Sequence, residues 1–404
     1  MPRTILHLDL DAFFCAVEET RDPSLRSKPF AVGGQPNERG VVSSCSYAAR
    51  ARGVRSAMPT SRAMRMCPGL VVVPPRHRLY GEVSKQVMEQ LGRLTPLLEQ
   101  ISIDEAFLDI SNLRDHPERL ARDLQARIRD ELGLPCSIGI ASNKLVAKIA
   151  TEVGKKAALH RPSTTGRQAS PSAQDDVGPP FALTIVPTGE ESAFLAPLPA
   201  DMLWGVGPKT AARLAELGIH TIGDIARWPE SELTSLLGEH GRDLSRHARG
   251  VDERPIVTEY ETKSISQETT FARDVRDDKV LEKTLREQSA SVARQLRKEG
   301  LAGKTVKLKL RWPDFTTLTR QTTLNSPTDM EDEIAKIALI LLKNVRKSNQ
   351  AVRLIGVGVT GLGQPVRQLG LWDLDTEKSR NLQEAVDALQ EKYGREMIHK
   401  GTNK

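Results

Sequence analysis

Residues 101–109 (ISIDEAFLD) place two adjacent carboxylates where two short strands are predicted to meet in a tight turn. Asp104 and Glu105 stand at the tip of this hairpin. Neighbouring residues in a regular strand point to opposite faces, but at a turn two side chains can converge on one point. Paired carboxylates held in place need a counter-charge, which a divalent cation with oxygen ligands supplies. This segment alone leaves an exposed acidic hairpin tip as the alternative.

The N-terminal segment adds a second acidic strand. Residues 5–14 (ILHLDLDAFF) form an apolar run of strand length, which Asp9 and Asp11 interrupt. Because these aspartates are two residues apart, both point the same way in an extended chain. An acidic side chain in such a strand is costly unless it is paired or bound to a metal. If this strand lies beside the hairpin, Asp9, Asp104 and Glu105 can hold two metal ions for an attack on phosphorus.

Size and charge narrow the class of protein. A chain of 404 residues is expected to form roughly two to four domains, and a hydrophobic content of 39% permits real cores. The net charge of +6 and the isoelectric point near 9.1 indicate a polyanionic partner. The four cysteines lack metal-ligand spacing, which indicates a reduced, cytoplasmic protein. No apolar run approaches the roughly 20 residues that cross a membrane.

Two further patterns suit a bound nucleotide. Residues 46–52 predict a short helix on which Tyr47 and Arg50 share a face. A hydroxyl and a guanidinium on one face suit a triphosphate, with a solvated helix face as the alternative. Of the adjacent rings Phe13 and Phe14, one can pack inward while the other forms a wall that excludes a ribose 2′-hydroxyl. The alternative is that both rings lie in the core.

The order of elements in residues 1–159 is strand, helix, inserted subdomain, helix, hairpin, helix, strand, helix. This order predicts an antiparallel sheet with helices on one face, in an α+β architecture. Residues 160–180 are rich in Pro, Ser, Thr, Gly and Gln, a composition that predicts a disordered surface insertion. Residues 204–210 (WGVGPKT) predict a turn between two helices, with Pro208 in the first helical turn.

Basic residues are concentrated in residues 259–370. This region has 20 Lys and Arg against 14 Asp and Glu, a net charge of +6 that equals that of the whole chain. Residues 304–311 alternate strictly, with apolar side chains predicted to face a core and basic ones to face outward. A sheet with one basic face suits DNA phosphates. Lysines that protect an edge strand are the alternative. The alternating residues are Val306, Leu308 and Leu310 on one side and Lys307, Lys309 and Arg311 on the other.

Four segments resemble the motifs of Y-family DNA polymerases, closest to the DinB branch, in the family's order and spacing: HLDLDAFFCAVE, SYAARARGV, SIDEAFLD and GIASNKLVAKIATEVGK. The resemblance covers nearly the whole chain and implies an α+β right-hand polymerase with palm, fingers, a helical thumb and a separate α/β little finger. We expect the palm at 1–18 and 77–159, fingers at 19–76, insertion at 160–182, helix-hairpin-helix thumb at 183–245, linker at 246–258, little finger at 259–367, and clamp-binding peptide and tail at 368–404.

The resemblance also implies roles for individual residues. Asp9, Asp104 and Glu105 would be catalytic and would hold two Mg²⁺ ions, with the backbone carbonyl of Leu10 contributing. Phe14 would be the ribose-discriminating gate. The incoming triphosphate would be bound by Tyr47, Arg50 and Lys155. One departure concerns the last of these, since Lys155 is followed by Lys156 and the insertion, where the family has Lys-Pro and a short strand.

The activity that the resemblance implies is low-fidelity translesion synthesis without proofreading. The partners would be primer-template DNA, dNTPs and a sliding clamp, and the protein would be a monomer. Residues 368–372 (QLGLW) resemble the clamp-binding peptide of bacterial polymerases, through Gln368, Leu369, Leu371 and Trp372. Two rivals remain: a nucleotide cyclase, which the helix-hairpin-helix and the basic region argue against, and a catalytically impaired DNA-binding scaffold, which the insertion after Lys155 leaves open.

Overall fold

The computed structural model describes residues 3–159 and 181–365, together with six separate positions between 382 and 392. The predicted insertion at 160–180 and the predicted clamp-binding peptide at 368–372 therefore lie outside the described residues. The chain divides into two compact units, Met1–Tyr260 and Glu261–Lys404. We call them the N-terminal unit and the C-terminal unit, and the palm, fingers, thumb and little finger assigned to them remain predictions.

The N-terminal unit contains a five-stranded sheet in the order β5-β6-β1-β7-β8. The acidic segments lie in neighbouring strands, as predicted, because β1 pairs antiparallel with β6. The other pairs are antiparallel too, except that β8 runs parallel to β7. The strands are β1 (Ile5–Leu10), β5 (Leu98–Gln100), β6 (Glu105–Asp109), β7 (Cys136–Ala141) and β8 (Leu183–Ile185).

Helices cover both faces of this sheet, so the prediction of helices on one face only is wrong. The even-numbered apolar residues of β1 pack against α1 (Phe13–Arg21), α4 (His77–Gly92) and α5 (Pro117–Leu132). The odd-numbered residues face α6 (Lys144–Leu159), where His7 contacts Thr151. The physical reason lies in β1 itself, since all six of its residues are buried and successive side chains point to opposite faces.

Close packing of α6 against β8 depends on Gly154. A Cβ atom at this position would lie 2.3 Å from the hydroxyl oxygen of Thr184 and 3.1 Å from the Cβ of Ala182. Both distances are shorter than ordinary van der Waals contact. Glycine therefore allows the last strand of the sheet to approach the helix directly.

A three-stranded sheet in the order β3-β2-β4 forms the inserted subdomain, with a small core of its own. The short helix predicted here is confirmed, and β2 and β3 pair as an antiparallel hairpin. The hydroxyl of Ser46 accepts a hydrogen bond from the backbone N–H of Ala49 and caps the helix. The elements are β2 (Phe30–Gly33), β3 (Val42–Cys45), α2 (Tyr47–Ala51), α3 (Thr60–Met66) and β4 (Val71–Val73).

Residues 191–248 contain five α-helices joined by short turns, and Pro208 is the first residue of its helix, as predicted. Thr221 and Asp224 form a reciprocal capping box at the next helix. The predicted linker at 246–258 is partly wrong, because the last helix continues to Ala248. The helices are α7 (Glu191–Leu195), α8 (Pro208–Glu216), α9 (Ile222–Arg227), α10 (Glu230–Leu237) and α11 (Glu239–Ala248).

The segment that follows, residues 249–260, is hydrogen-bonded to the start of α6 and to β5. The side-chain amide of Asn143 donates to the carbonyl of Gly250 at 2.9 Å. The buried Asp252 carboxylate accepts from the backbone N–H of Leu145 at 3.0 Å. At the far end, the Tyr260 hydroxyl donates to Glu99 at 2.5 Å. These hydrogen bonds hold residues 249–260 in place, and we call this segment the strap.

The C-terminal unit is an antiparallel sheet in the order β11-β10-β12-β9, with two helices packed on one face. The predicted alternation is confirmed, since Val306, Leu308 and Leu310 are buried against the helices. Because β10 lies between β11 and β12, the edge-strand explanation of its lysines is wrong. The elements are β9 (Ser264–Val275), α12 (Asp278–Lys298), β10 (Ala302–Arg311), β11 (Thr317–Thr328), α13 (Glu331–Val345) and β12 (Val352–Gly363).

Among the helices in the described residues, none is both long enough and apolar enough to span a membrane.

Candidate active site

Strand pairing brings two of the three predicted carboxylates together. Asp9 of β1 lies directly opposite Glu105 of β6 in the antiparallel register. Residues opposed in this way point to the same face, with Cβ atoms about 5 Å apart. Asp9 is only 7% exposed. The result is a pair of acidic side chains on the α6 side of the sheet.

Asp104 belongs to the turn before β6, and its carboxylate binds locally. The turn between β5 and β6 spans residues 101–104, so the predicted pair of short strands that meet in a turn is present. Ser102 donates its hydroxyl proton to Asp104 at 2.5 Å, and accepts from the backbone N–H groups of Asp104 and Glu105. The carbonyl of Asp104 accepts from the N–H of Leu10 at 3.0 Å. In the described part of the chain, no three His, Cys, Asp or Glu side chains are grouped as a metal site.

Two lysines of α6 supply the counter-charge to the carboxylate pair. The Nζ of Lys148 lies 2.6 Å from Oε2 of Glu105. The ammonium of Lys155 contacts Asp9 and lies 3.4 Å from Oδ1 of Asp11. Asp9 and Asp11 thus point the same way, as predicted, and Lys155 reaches the site even though the insertion begins only a few residues later.

Burial dominates the electrostatics of these groups. It raises the pKa of Asp9 well above its usual range, and the neighbouring Glu105 carboxylate adds to this rise, while Lys155 opposes it. For Lys155, burial alone would lower the pKa, but the carboxylates of Asp9 and Asp11 raise it. Burial lowers the pKa of His7 far below its usual value, so this imidazole is neutral at pH 7.

Asp11 anchors the site from behind and is completely buried. Both of its carboxylate oxygens accept from the Ser137 hydroxyl, at 2.9 and 3.0 Å. It also accepts from the backbone N–H of Phe181 at 3.3 Å. Since Phe181 is the first described residue after position 159, the chain returns from the insertion onto an aspartate that also contacts Lys155.

One face of α6 carries a series of polar residues that we call the α6 stripe: Lys144, Lys148, Thr151 and Lys155. Spacings of four, three and four residues place them on one side of the helix. Each contacts a different polar group of the sheet: Glu99, Glu105, His7 and Asp9, respectively. Sequence reasoning identified only Lys155, although the helical spacing of polar residues in an otherwise apolar helix was the signal for the rest.

The two phenylalanines of α1 differ in burial. Phe13 is 2% exposed and belongs to the core, whereas Phe14 is only half-buried at its edge. The Phe14 ring stacks on Tyr80 of α4, with centroids 4.2 Å apart and an interplanar angle of 15°. Sequence reasoning missed Tyr80, because nothing in the local pattern of α4 indicates its partner.

Tyr47 and Arg50 share a face of α2, as predicted, with the guanidinium 4.9 Å above the Tyr47 ring. The Nε of Arg50 donates to the Cys45 carbonyl at 3.1 Å. Burial raises the pKa of Tyr47, and the negative charges of Asp11 and Asp9 raise it further.

Asp9 and Glu105 offer paired carboxylate oxygens, the ligands that Mg²⁺ prefers, so the donor chemistry of this pair fits a divalent cation. Asp104 would add a third carboxylate, which in this structure is hydrogen-bonded to Ser102. Asp9 and Glu105 are like charges held side by side on a buried face, an arrangement that needs positive charge nearby. In this structure Lys148 and Lys155 provide it.

Two family models match most of the chain, and curated relatives match nearly all of it. The model of the impB/mucB/samB family matches residues 8–152, and that of its C-terminal domain matches residues 262–371. A DNA polymerase IV of Dehalococcoides mccartyi is 40% identical over 405 residues, which cover 99% of this chain and 97% of that protein.

Solved structures agree. A chimera of the Y-family DNA polymerases Dbh and Dpo4 superposes with a TM-score of 0.75 at 25% identity, covering 89% of this chain and 99% of the chimera. An insertion ternary complex of Dbh DNA polymerase gives a TM-score of 0.60 at 26% identity, with the same coverage. The chain therefore belongs to the Y family of DNA polymerases, closest to the DinB branch, and is a DNA-directed DNA polymerase.

Proposed function

We propose that this protein is a translesion polymerase that extends a primer 3′-hydroxyl with dNTPs, at the site formed by Asp9, Asp104 and Glu105. The hydroxyl gives up its proton to solvent, its oxygen forms a bond to the α-phosphorus, and the bond from that phosphorus to the leaving pyrophosphate breaks. The observation that carries the proposal is the register of β1 and β6, which holds Asp9 opposite Glu105 on a buried face. Two bound Mg²⁺ ions would activate the attacking oxygen and stabilise the leaving oxygen.

The chain's own cations would bind the triphosphate. The Lys155 side chain is 14% exposed and lies beside Asp9 and Asp11, so its ammonium group is held in one position. Tyr47 and Arg50, which share a face of α2, would add a hydroxyl and a guanidinium. Negative charge grows on the pyrophosphate as the bond breaks, and positioned donors stabilise it there.

Sugar selection would lie with Phe14. Its half-buried ring stands four residues after the last residue of β1, on the first turn of α1. In this proposal, a rigid ring in that position would exclude a ribose 2′-hydroxyl. Low fidelity, the absence of proofreading, a monomeric state and a cytoplasmic location belong to the same proposal.

The outer face of the C-terminal sheet would bind the backbone of primer-template DNA. Lys307 lies between Gly358 and Gln321, and Lys309 between Gly356 and Thr319. Lysines flanked by glycines and short polar side chains let a phosphate chain approach closely. Such contacts carry affinity without reading sequence, as a polymerase requires. For the clamp, Gln368, Leu369, Leu371 and Trp372 remain the proposed contact.

No observation favours the impaired scaffold. Lys155 contacts Asp9, and Phe181 is hydrogen-bonded to Asp11. Both ends of the described chain at the insertion therefore take part in the site rather than disrupt it.

The test is primer extension with Mg²⁺ and dNTPs, comparing wild type with Asp104→Ala. The matched control is Asp109→Asn, a change of another carboxylate near the opposite end of β6. We expect extension by wild type and control, and a loss of about 10³-fold or more for Asp104→Ala with primed DNA still bound. Equal extension by Asp104→Ala would refute the site, and binding without extension by all three proteins would favour the scaffold.

A further inference from the structure

Helix α4 contacts α1 at Phe14, the proposed gate, through both a stacked ring and a hydrogen bond. Phe14 and Glu18 are four residues apart on α1 and share a face. Tyr80 covers both, because its ring stacks on Phe14 while its hydroxyl donates to Oε1 of Glu18 at 2.7 Å. The other oxygen of Glu18 contacts the guanidinium of Arg76. We call Glu18, Arg76 and Tyr80 the gate clasp.

Two of the three residues of the gate clasp, Glu18 and Tyr80, are buried. Glu18 is 1% exposed and Tyr80 is 0% exposed, while the Arg76 side chain reaches solvent. A buried carboxylate is costly unless its oxygens are paired, and here both oxygens are. His77 adds an edge contact, with its ring centroid 6.3 Å from that of Phe14.

Two contacts restrict the position of the Tyr80 ring relative to Phe14. The hydrogen bond to a charged acceptor fixes the ring along its long axis, and stacking fixes its height above Phe14. An apolar residue in place of Glu18 could fill the same space between α1 and α4. Because a buried charge adds little net stability over such packing, its advantage here is a defined position.

We propose that Glu18 is a positioning residue for sugar selection, which acts through Tyr80 to hold the Phe14 ring against ribonucleoside triphosphates. This inference rests on the proposed gate role of Phe14. Glu18 does not touch the substrate. It sets how far the gate ring can retreat when a 2′-hydroxyl presses against it.

The experiment measures kcat and KM separately for dNTP and rNTP incorporation opposite the same template base. Tyr80→Phe keeps the stacked ring and removes only the hydroxyl, so it is the variant that tests the clasp with least risk to folding. Glu18→Ala removes the acceptor, whereas Glu18→Gln keeps an acceptor for the Tyr80 hydroxyl. Glu19→Gln, a change of the neighbouring half-buried carboxylate of α1, is the matched control.

We expect Tyr80→Phe and Glu18→Ala to lower the dNTP-to-rNTP ratio of kcat/KM by about tenfold. The change should come from improved rNTP incorporation, with kcat for dNTPs nearly constant, and Glu18→Gln should retain most of the selectivity. In the Phe14→Ala background, Tyr80→Phe should add no further loss, because the two side chains act as one unit.

Three outcomes separate the hypotheses. An unchanged ratio in Phe14→Ala would refute the gate itself. A lowered ratio in Phe14→Ala, together with wild-type ratios in Tyr80→Phe and Glu18→Ala, would overturn the clasp and leave the gate standing. Equal losses of kcat/KM for both kinds of nucleotide would mean that Glu18 and Tyr80 only stabilise the fold.

Discussion

The Nζ of Lys148 lies 2.6 Å from Oε2 of Glu105, and this contact is the second step of the α6 stripe across the sheet. Lys144 meets Glu99 on β5, and Lys155 meets Asp9 on β1. One helix therefore sets the direction of carboxylates on three neighbouring strands. Any change in how α6 lies on the sheet would therefore displace the carboxylates of Asp9 and Glu105 together with the strap.

Lys155 tests the triphosphate contact. Lys155→Met keeps a side chain of similar length but removes its charge. We therefore expect KM for dNTPs to rise about 10- to 100-fold, the effect of losing a charge-assisted contact. Primed-DNA affinity should stay constant. Steady-state kinetics and DNA binding measure the two effects, with Lys156→Met, an exposed neighbour, as the control. A KM unchanged in Lys155→Met would remove this residue from the site.

Glu99 tests the strap. It accepts from Lys144 at 2.8 Å, from the backbone N–H of Val257 and from the Tyr260 hydroxyl. Glu99→Ala leaves the Lys144 ammonium buried without its carboxylate, so we expect the free energy of unfolding to fall by about 3–5 kcal/mol. Urea unfolding measures it. The control is Glu89→Gln, which breaks the exposed pair with Lys85 and should change little.

The same carboxylate predicts a pH dependence. Burial alone would raise the pKa of Glu99, but hydrogen bonds from Lys144, Tyr260 and Val257 together hold it below its usual value of 4.5. Its stabilising contribution is therefore complete above about pH 4.5 and is lost as the pH falls through the folded-state pKa. The stability difference between wild type and Glu99→Gln should shrink in acid. A difference that grows below pH 4.5 would show that the sign is wrong.

Glu268 tests the DNA-binding face. It pairs with Lys309 at 2.7 Å on the outer surface of the C-terminal sheet, and both side chains are partly exposed. Glu268→Gln should free that lysine for phosphate, tighten DNA binding and steepen its salt dependence by about one unit. Lys307→Ala should do the opposite. Lys343→Ala on α13, a helix of the opposite layer, is the control that should leave the binding slope unchanged.

The clamp peptide tests a prediction outside the described residues. Changing Gln368 and Leu371 to alanine should abolish stimulation by the sliding clamp while basal extension stays the same. Gln364→Ala is the matched change upstream. Stimulation that survives the double substitution would rule out this peptide as the contact.

The sequence alone was enough to predict the strands and side-chain directions that follow from a local repeat. The strand of Asp9, the hairpin of Glu105 and the alternation of Lys307 and Lys309 were recognisable because side-chain direction repeats every two residues. The partners of Glu18 and Glu99 were not recognisable, because Tyr80 and Lys144 reach them from helices 62 and 45 residues away. Strand pairing and helix docking decide such contacts, and single-segment patterns contain neither.

The close approach at Gly154 has a practical consequence. Helix α6 and strand β8 meet directly at Gly154 and Thr184, and β8 is further held by parallel pairing with β7. The two segments on either side of residues 160–180 are thus held by their contacts with each other and with the sheet. A reporter or affinity module spliced into that interval should leave nucleotide incorporation intact, so this position offers a handle for following the polymerase in cells.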